Sequence, residues 1–280
     1  MKKVTRRETL KIGGLILAST LAATTGFLAL MNDINTPVVK NVTIPIKGLK
    51  PGMEGFTIAQ LSDIHLEPYT KIALIERAVD MINLLHPDVV VLTGDYVWRW
   101  ADAAFELAPA LARLNPRLGI YAVMGNHEYW MGIEAVDTAF KEARIPVLYN
   151  QGMCLSSGTA QLYLAGLDDG WSGKPDLAAA LAMAPSDVPV VLLYHEPDLA
   201  DQVARQAQIA LQLSGHTHGG QMRIPGPIVL PYLGKKYEYG LYRVNEVMQV
   251  YTNAGLGTIS MPLRYNCPPE ITLITLISSS

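Results

Sequence analysis

Cysteine is scarce in this chain: two residues, Cys154 and Cys267, among 280. Positions so far apart form neither a CxxC redox pair nor a Cys/His zinc knuckle. Charge is also thin, at 17% of residues, below the usual quarter or so of a globular domain. With 50% of residues hydrophobic, disorder, collagen and coiled coil are poor descriptions. Positive charge is not in excess either, since 22 Lys and Arg face 25 Asp and Glu. Five of the basic residues (Lys2, Lys3, Arg6, Arg7, Lys11) and one acid (Glu8) precede residue 32, leaving 17 against 24, a body at −7. Nucleic-acid binding is therefore not expected, because a phosphate-backbone binder needs the opposite sign. An acidic body can still act on phosphates if some of its carboxylates hold cations.

Apolar residues are plentiful, and many stand at the N-terminus. Ile12 to Met31 carries no charge over 20 residues, long enough to span a bilayer. It follows Thr5-Arg6-Arg7-Glu8-Thr9-Leu10-Lys11, which resembles the twin-arginine export signal, with Thr9 where Phe is common. No clean Ala-x-Ala cleavage site closes the segment. The expected division is a signal or membrane anchor over 1–33 and one catalytic domain over 34–280. Membrane contact through 12–31, a twin-arginine translocase as partner, and a body on the outer face of the cytoplasmic membrane follow from the basic N-terminal flank. In that compartment Cys154 and Cys267 can pair, and two free thiols are the alternative.

Within the body, a short alternation at Val42–Ile46 reads as an edge strand. Buried strands are expected at 56–61, 89–93, 120–124, 162–167, 188–194, 209–214, 247–253 and 271–276. Ile72, Ile75, Val79, Ile82 and Leu85 place an apolar stripe on a helix that stops before Pro87. Further helices are expected at 101–114, 133–143 and 197–206. One α/β domain with helix-covered sheets fits this order.

Five of these strands run straight into polar residues. They end in Ser62-Asp63-Ile64-His65, Thr93-Gly94-Asp95, Gly125-Asn126-His127-Glu128, His195-Glu196 and Gly215-His216-Thr217-His218-Gly219-Gly220-Gln221. Ligand sites of open α/β sheets gather beyond the carboxyl ends of strands. Spacing i, i+2 puts Asp63 with His65, and His216 with His218, on one side. Gly125 and Gly215 are expected to make tight turns. Of the six histidines, His86 alone stands apart, at a helix end. Imidazole, carboxylate and amide donors without thiolate suit Mn, Fe or Zn. The donors exceed one coordination shell, whereas two metals about 4 Å apart sharing a carboxylate use them all.

The order D-x-H, G-D, G-N-H-E, H, G-H-x-H resembles the calcineurin-like metallophosphoesterases over roughly 56–276. The Gly215–Gln221 run, and Gly255-Leu256-Gly257 further on, resemble their membrane-associated, exported bacterial branch. The resemblance implies a four-layer α/β/β/α sandwich of two mixed sheets flanked by helices. It implies two divalent metal ions, one held by Asp63, His65, Asp95 and His218, the other by Asp95, Asn126, His195 and His216. It also implies hydrolysis of phosphate mono- or diesters by a metal-bridging hydroxide, with His127 as general acid and Asp95 as the bridge. Glu128 and Glu196 are expected to orient ligands. Tyr69, Trp98, Trp100, Tyr129 and Trp130 are placed along a substrate cleft, with the membrane interface near the anchor as the alternative; Arg264 and Lys174 are expected as anion contacts. Asp168 and Asp169 are expected beside the site without being ligands. A UDP-2,3-diacylglucosamine-type lipid pyrophosphate hydrolase, whose substrate is lipid-linked, is the alternative enzyme. A non-enzymatic envelope-binding metalloprotein is the third reading.

Overall fold

The computed structural model describes residues 31–223 and 234–279, with positions 12, 16, 19, 20 and 24–26. The twin-arginine segment and most of the expected anchor lie outside the described residues. Among the described residues, no helix is long and apolar enough to cross a membrane.

Among the described residues, thirteen strands follow in chain order: β1 (Met31–Asn32), β2 (Val38–Lys47), β3 (Thr57–Leu61), β4 (Val89–Thr93), β5 (Ile120–Val123), β6 (Gln151–Ser157), β7 (Ala160–Gly166), β8 (Val190–Leu193), β9 (Leu211–Ser214), β10 (Gly240–Arg243), β11 (Gln249–Thr252), β12 (Arg264–Tyr265) and β13 (Glu270–Ser279). The helices are α1 (Ile72–Leu85), α2 (Ala104–Leu111), α3 (Asn126–Met131), α4 (Ile133–Glu142), α5 (Leu177–Leu181) and α6 (Ala200–Gln206). One sheet runs β2, β13, β3, β4, β5 and the other β10, β11, β9, β8, β7, β6, while β1 and β12 form a small ribbon. Both large sheets are mixed: β13 is antiparallel to β3 but parallel to β2, and β6 is antiparallel to β7 while β7, β8 and β9 run parallel.

Alternation along the strands sorts the side chains into layers. Ile58, Val91 and Ile274 of the first sheet meet Leu164, Leu193 and Leu213 of the second in one buried cluster. The opposite face of the first sheet, with Ala59, Val90 and Leu92, packs on Ile75, Val79, Leu107 and Phe140 of its helices. The outer face of the second sheet, with Ala165, Leu192 and Val250, packs on Ala180 and Val203. The layers run helices, sheet, sheet, helices.

Local sequence sets most boundaries. α1 ends at Leu85 because His86, at φ 48°, takes a left-handed cap before Pro87. The helices expected over 101–114 and 197–206 each begin as a single 3-10 turn, at Ala101–Ala103 and Pro197–Leu199. The expected strand at 42–46 starts four residues earlier and is the edge partner of β13. β6 was not expected, because Gln-Gly-Met-Cys-Leu-Ser-Ser has no β-branched residue; its tight turn into β7 holds it in register.

Candidate metal centre

The ends of β3, β4 and β5 from one sheet, and of β8 and β9 from the other, converge at one edge of the sandwich. The loops after β3 and β4 are tied together by hydrogen bonds from Asp63 N to Gly94 O (3.0 Å), His65 N to Asp95 O (3.0 Å) and Leu66 N to Tyr96 O (2.9 Å). The two sheets are joined by Gln60 of β3, whose amide donates to Ser214 O of β9 at 2.9 Å. All seven expected donor residues meet there and all are buried.

Two donor sets share one atom. His65 Nε2 and His195 Nε2 lie 3.4 and 3.2 Å from the same oxygen, Asp95 Oδ2. On the first side, His65 Nε2 is 2.9 Å from His218 Nε2, which is 3.5 Å from Asp63 Oδ1. On the second side, His216 Nδ1 is 3.3 Å from His195 Nε2 and 3.0 Å from Asn126 Oδ1. Donors in the coordination shell of a metal at roughly 2.0–2.2 Å stand about 3–3.5 Å apart, so these spacings fit. The rings are already oriented as ligands. His195 Nδ1 donates to Thr93 O at 2.6 Å and His65 Nδ1 to Val97 O at 3.4 Å, which turns both Nε2 atoms towards Asp95 Oδ2. With its Nδ1 proton on Val97 O, His65 accepts at Nε2 from His218 Nε2–H, while His218 Nδ1 is buried without a partner. Burial keeps both rings neutral, pushing His65 down to about 3 and His218 well below the usual histidine range. A cation held between them would take the place of the shared proton.

The chain is strained at these positions. Asp63, His65, Asp95, His216 and His218 all have positive φ, from 46° to 70°. For residues with a side chain this costs on the order of 1 kcal/mol each, and such strain concentrates at functional sites. The two glycines have a different role from the tight turns expected of them. Gly125 has φ −111° and Gly215 is not left-handed. What they supply is room: a Cβ on Gly215 would lie 2.2 Å from Asp63 Oδ2, and one on Gly125 2.5 Å from Asp95 Oδ1.

Glu128 is fully buried, and its carboxylate accepts from the N–H groups of Asp95, Tyr96 and Gly125 at 2.9, 2.7 and 2.8 Å. These bonds tie it to the Asp95 loop. Glu196 accepts from Gly170 N at 3.1 Å, and burial and Asp169 hold its pKa well above the carboxylate range. His127 is half-buried, stacks on Trp98 at 4.8 Å and meets His65 edge-on at 4.6 Å. Burial lowers its pKa.

The cleft expectations divide. Trp98 and Trp130 are at the site, Trp130 at 5.0 Å from His127. Tyr129 lies behind it, donating to Asp168. Tyr69 and Trp100 make no ring contact with it among the described residues. Arg264 is not an anion contact. It is fully buried and donates to Gly257 O (3.0 Å), Cys267 O (3.2 Å) and Ala254 O (2.9 Å), so three carbonyls consume its guanidinium behind Asp63. The Lys174 side chain is exposed, and its N–H serves Asp168 at 2.8 Å. Cys154 and Cys267 are both free, Cys267 donating to His218 O at 3.3 Å. Two participants escaped the sequence. Trp171 sits 4.3 Å from His216, ring to ring, on a loop outside every motif. Gln221, the last motif residue, ties that motif to the Ile259 and Met261 carbonyls at 3.1 and 3.4 Å.

A mixed α/β sandwich with two adjoining donor sets at its strand ends defines a binuclear hydrolase architecture. The calcineurin-like phosphoesterase family matches residues 56–220, and the chain belongs to that family of metal-dependent phosphoric ester hydrolases. It is 34% identical over 290 residues to the uncharacterized metallophosphoesterase YkuE of Bacillus subtilis, covering 100% of both chains. It is 31% identical to phosphodiesterase YaeI of Escherichia coli, over 93% of this chain and 96% of that one. It is 34% identical to a transmembrane protein with metallophosphoesterase domain of Danio rerio, over 93% of this chain but 62% of that one. Among solved structures, the NAD nucleotidase of Haemophilus influenzae shares the fold, with a TM-score of 0.50 at 17% identity, covering 72% of this chain and 45% of that one.

Proposed function

We propose that the protein is a two-cation phosphoesterase, acting on phosphate diesters before monoesters, carried by an N-terminal anchor on the outer face of the cytoplasmic membrane. The observation that carries the catalytic part is the single oxygen, Asp95 Oδ2, set between His65 and His195. Asp63, His65, Asp95 and His218 hold one divalent cation; Asp95, Asn126, His195 and His216 hold the other. When bound, such cations neutralise phosphate charge and lower the pKa of water. His127 also lies within donor reach of His65 and Asp95, and its role here is the proton. Its imidazole is neutral at neutral pH, and a bound phosphate anion favours its imidazolium, whose proton goes to the leaving oxygen. The preference for diesters is supported by YaeI, whose name is phosphodiesterase.

Export rests on Arg6 and Arg7 ahead of a charge-free 20-residue stretch. One relative is named as a transmembrane protein, which agrees with an anchor. The test is a screen of the purified full chain over phosphate diesters, monoesters and lipid pyrophosphates with Mn, Fe or Zn, with metal analysis on the same sample. Hydrolysis of bis-p-nitrophenyl phosphate with about two metals per chain is expected. Failure with every phosphoester and every metal overturns the enzyme reading. For location, protease added to spheroplasts should digest the body; digestion only after lysis overturns export.

A further inference from the structure

Three of the four tryptophans surround the centre, and two of them are half exposed: Trp130 at 53% and Trp171 at 54%. Trp171 is edge-on to His216 at 4.3 Å and Trp130 packs against His127 at 5.0 Å. Trp130 stands on α3 and Trp171 on a loop, and the two are fastened together. Trp130 Nε1 donates to Ser172 Oγ at 3.0 Å, which binds one tryptophan segment to the other. The fully buried Asp169 accepts from Trp171 N and Ser172 N at 3.1 and 2.5 Å. Gly170 N is held by Glu196 and Lys174 N by Asp168. The ordering entropy of this loop is thus spent at folding rather than at binding.

We propose that Trp130 and Trp171 form a stacking subsite for a planar aromatic arm of the phosphoester. The inference rests on the phosphoesterase reading above and names the substrate class of that site. The two indole centroids are 6.4 Å apart and 34° from parallel. A flat ring sandwiched between two others needs about 7–8 Å, twice the optimal carbon–carbon contact. Turning the Trp130 indole outward, with release of its hydrogen bond to Ser172, therefore opens room for one ring, while the Trp171 loop stays held by Asp169. The arm enters between the indoles while the phosphoryl group reaches the donors below. Flat faces reward a flat ligand: an aromatic pair gains energy beyond its buried area, which an alkyl chain does not collect.

The test compares phenylphosphonate, methylphosphonate and hexylphosphonate, three anions that share a headgroup and are not hydrolysed. Their binding to the full chain loaded with Mn is measured by calorimetry, and checked as competition against bis-p-nitrophenyl phosphate. Phenylphosphonate should bind roughly five- to tenfold tighter than methylphosphonate. The ratio should fall towards one in Trp171→Ala and Trp130→Ala and be largely kept in Trp171→Phe. Equal binding of the phenyl and methyl compounds, a tighter hexyl compound, or an unchanged ratio in both alanine variants overturns the stacking subsite. If the phenyl preference holds but no phosphoester is hydrolysed, the phosphoesterase reading fails and the subsite stands.

Discussion

The N–H of Asp95 donates to Glu128 Oε2 at 2.9 Å, across two loops of one sheet edge. Tyr96 N and Gly125 N converge on the same carboxylate. Glu128→Ala leaves three buried donors without an acceptor, each worth roughly 1–3 kcal/mol. It should lower stability by about 3 kcal/mol or more and weaken Mn binding by about 10–100-fold. Glu128→Gln keeps the shape and should fall between. Thermal unfolding and calorimetric Mn titration check both; a Glu128→Ala variant with unchanged Tm and Mn affinity refutes the orienting role.

Gly257 approaches Ile64 more closely than any side chain permits. A Cβ there would lie 1.9 Å from the Ile64 carbonyl oxygen. Its N–H donates to Asp63 O at 2.7 Å, and Leu256 N to Ser62 O at 3.0 Å, so the Gly255–Gly257 segment backs the Asp63 loop. Gly257→Ala should cost more than about 2 kcal/mol by overpacking and weaken metal binding with it. Gly158, left-handed at φ 61° but with nothing near a Cβ, is the comparison: Gly158→Ala should cost about 1 kcal/mol and leave metal binding alone. Equal effects of the two variants on Mn affinity contradict this.

The buried Arg264 separates a structural from a substrate role. Lysine cannot reach three carbonyls in the planar arrangement that the guanidinium serves. Arg264→Lys should lower stability by roughly 2–4 kcal/mol while leaving the KM of the folded fraction unchanged. A large rise in KM at wild-type stability returns Arg264 to the cleft.

What the sequence reveals here depends on how local the cause is. Asp63, His65, Asp95, Asn126, His195, His216 and His218 were legible because each follows a short β-branched run, and strand ends are where open sheets collect ligands. The two mixed sheets were expected from the family resemblance, but the order of strands within them was not legible. β13 lies between β2 and β3, pairing residues near 272 with residues near 60, and no local pattern encodes such a partner. Arg264 misled for a related reason: an arginine is usually exposed, and its carbonyl acceptors at 254, 257 and 267 converge only in the fold. Trp171 was invisible because its neighbour His216 is 45 positions away, and an indole after two aspartates carries no periodic signal. Glu128 was legible as a helper through its place beside Asn126 and His127, but its three donors became apparent only in three dimensions.

His127 packs on Trp98 and Trp130 but also groups with His65 and Asp95 as a potential donor, so its variant separates a proton role from a ligand role. His127→Ala should lower kcat by about 10²–10⁴-fold with metal content unchanged. Wild-type kcat, or metal lost in proportion to activity, argues against the acid role.

The protons on the cation-free centre set how metal binding responds to pH. Burial, with the Asp95 carboxylate and against His195, raises Asp63 from 3.8 to about 7. Burial opposes a charged His195, but Asp95 and Asp63 outweigh it and raise its pKa well above 6.5. His65 and His216 are pushed down to about 3 by burial, so they are neutral throughout. At pH 6 the folded apoprotein therefore holds protons on Asp63 and His195. The Asp63 proton is one that the unfolded chain, with its ordinary carboxyl, has already released. Its contribution to apoprotein stability is full below pH 3.8 and is lost as pH rises through about 7. Cation binding runs the other way, because both protons must leave before the donors can coordinate. Mn affinity should rise by about tenfold per pH unit for each proton expelled between pH 6 and 7, with the Asp63 share flattening above that. Calorimetry in two buffers of different ionisation enthalpy measures the affinity and counts the protons. An affinity that is flat from pH 6 to 7, with heats independent of buffer, means that neither Asp63 nor His195 holds a proton that the cation expels.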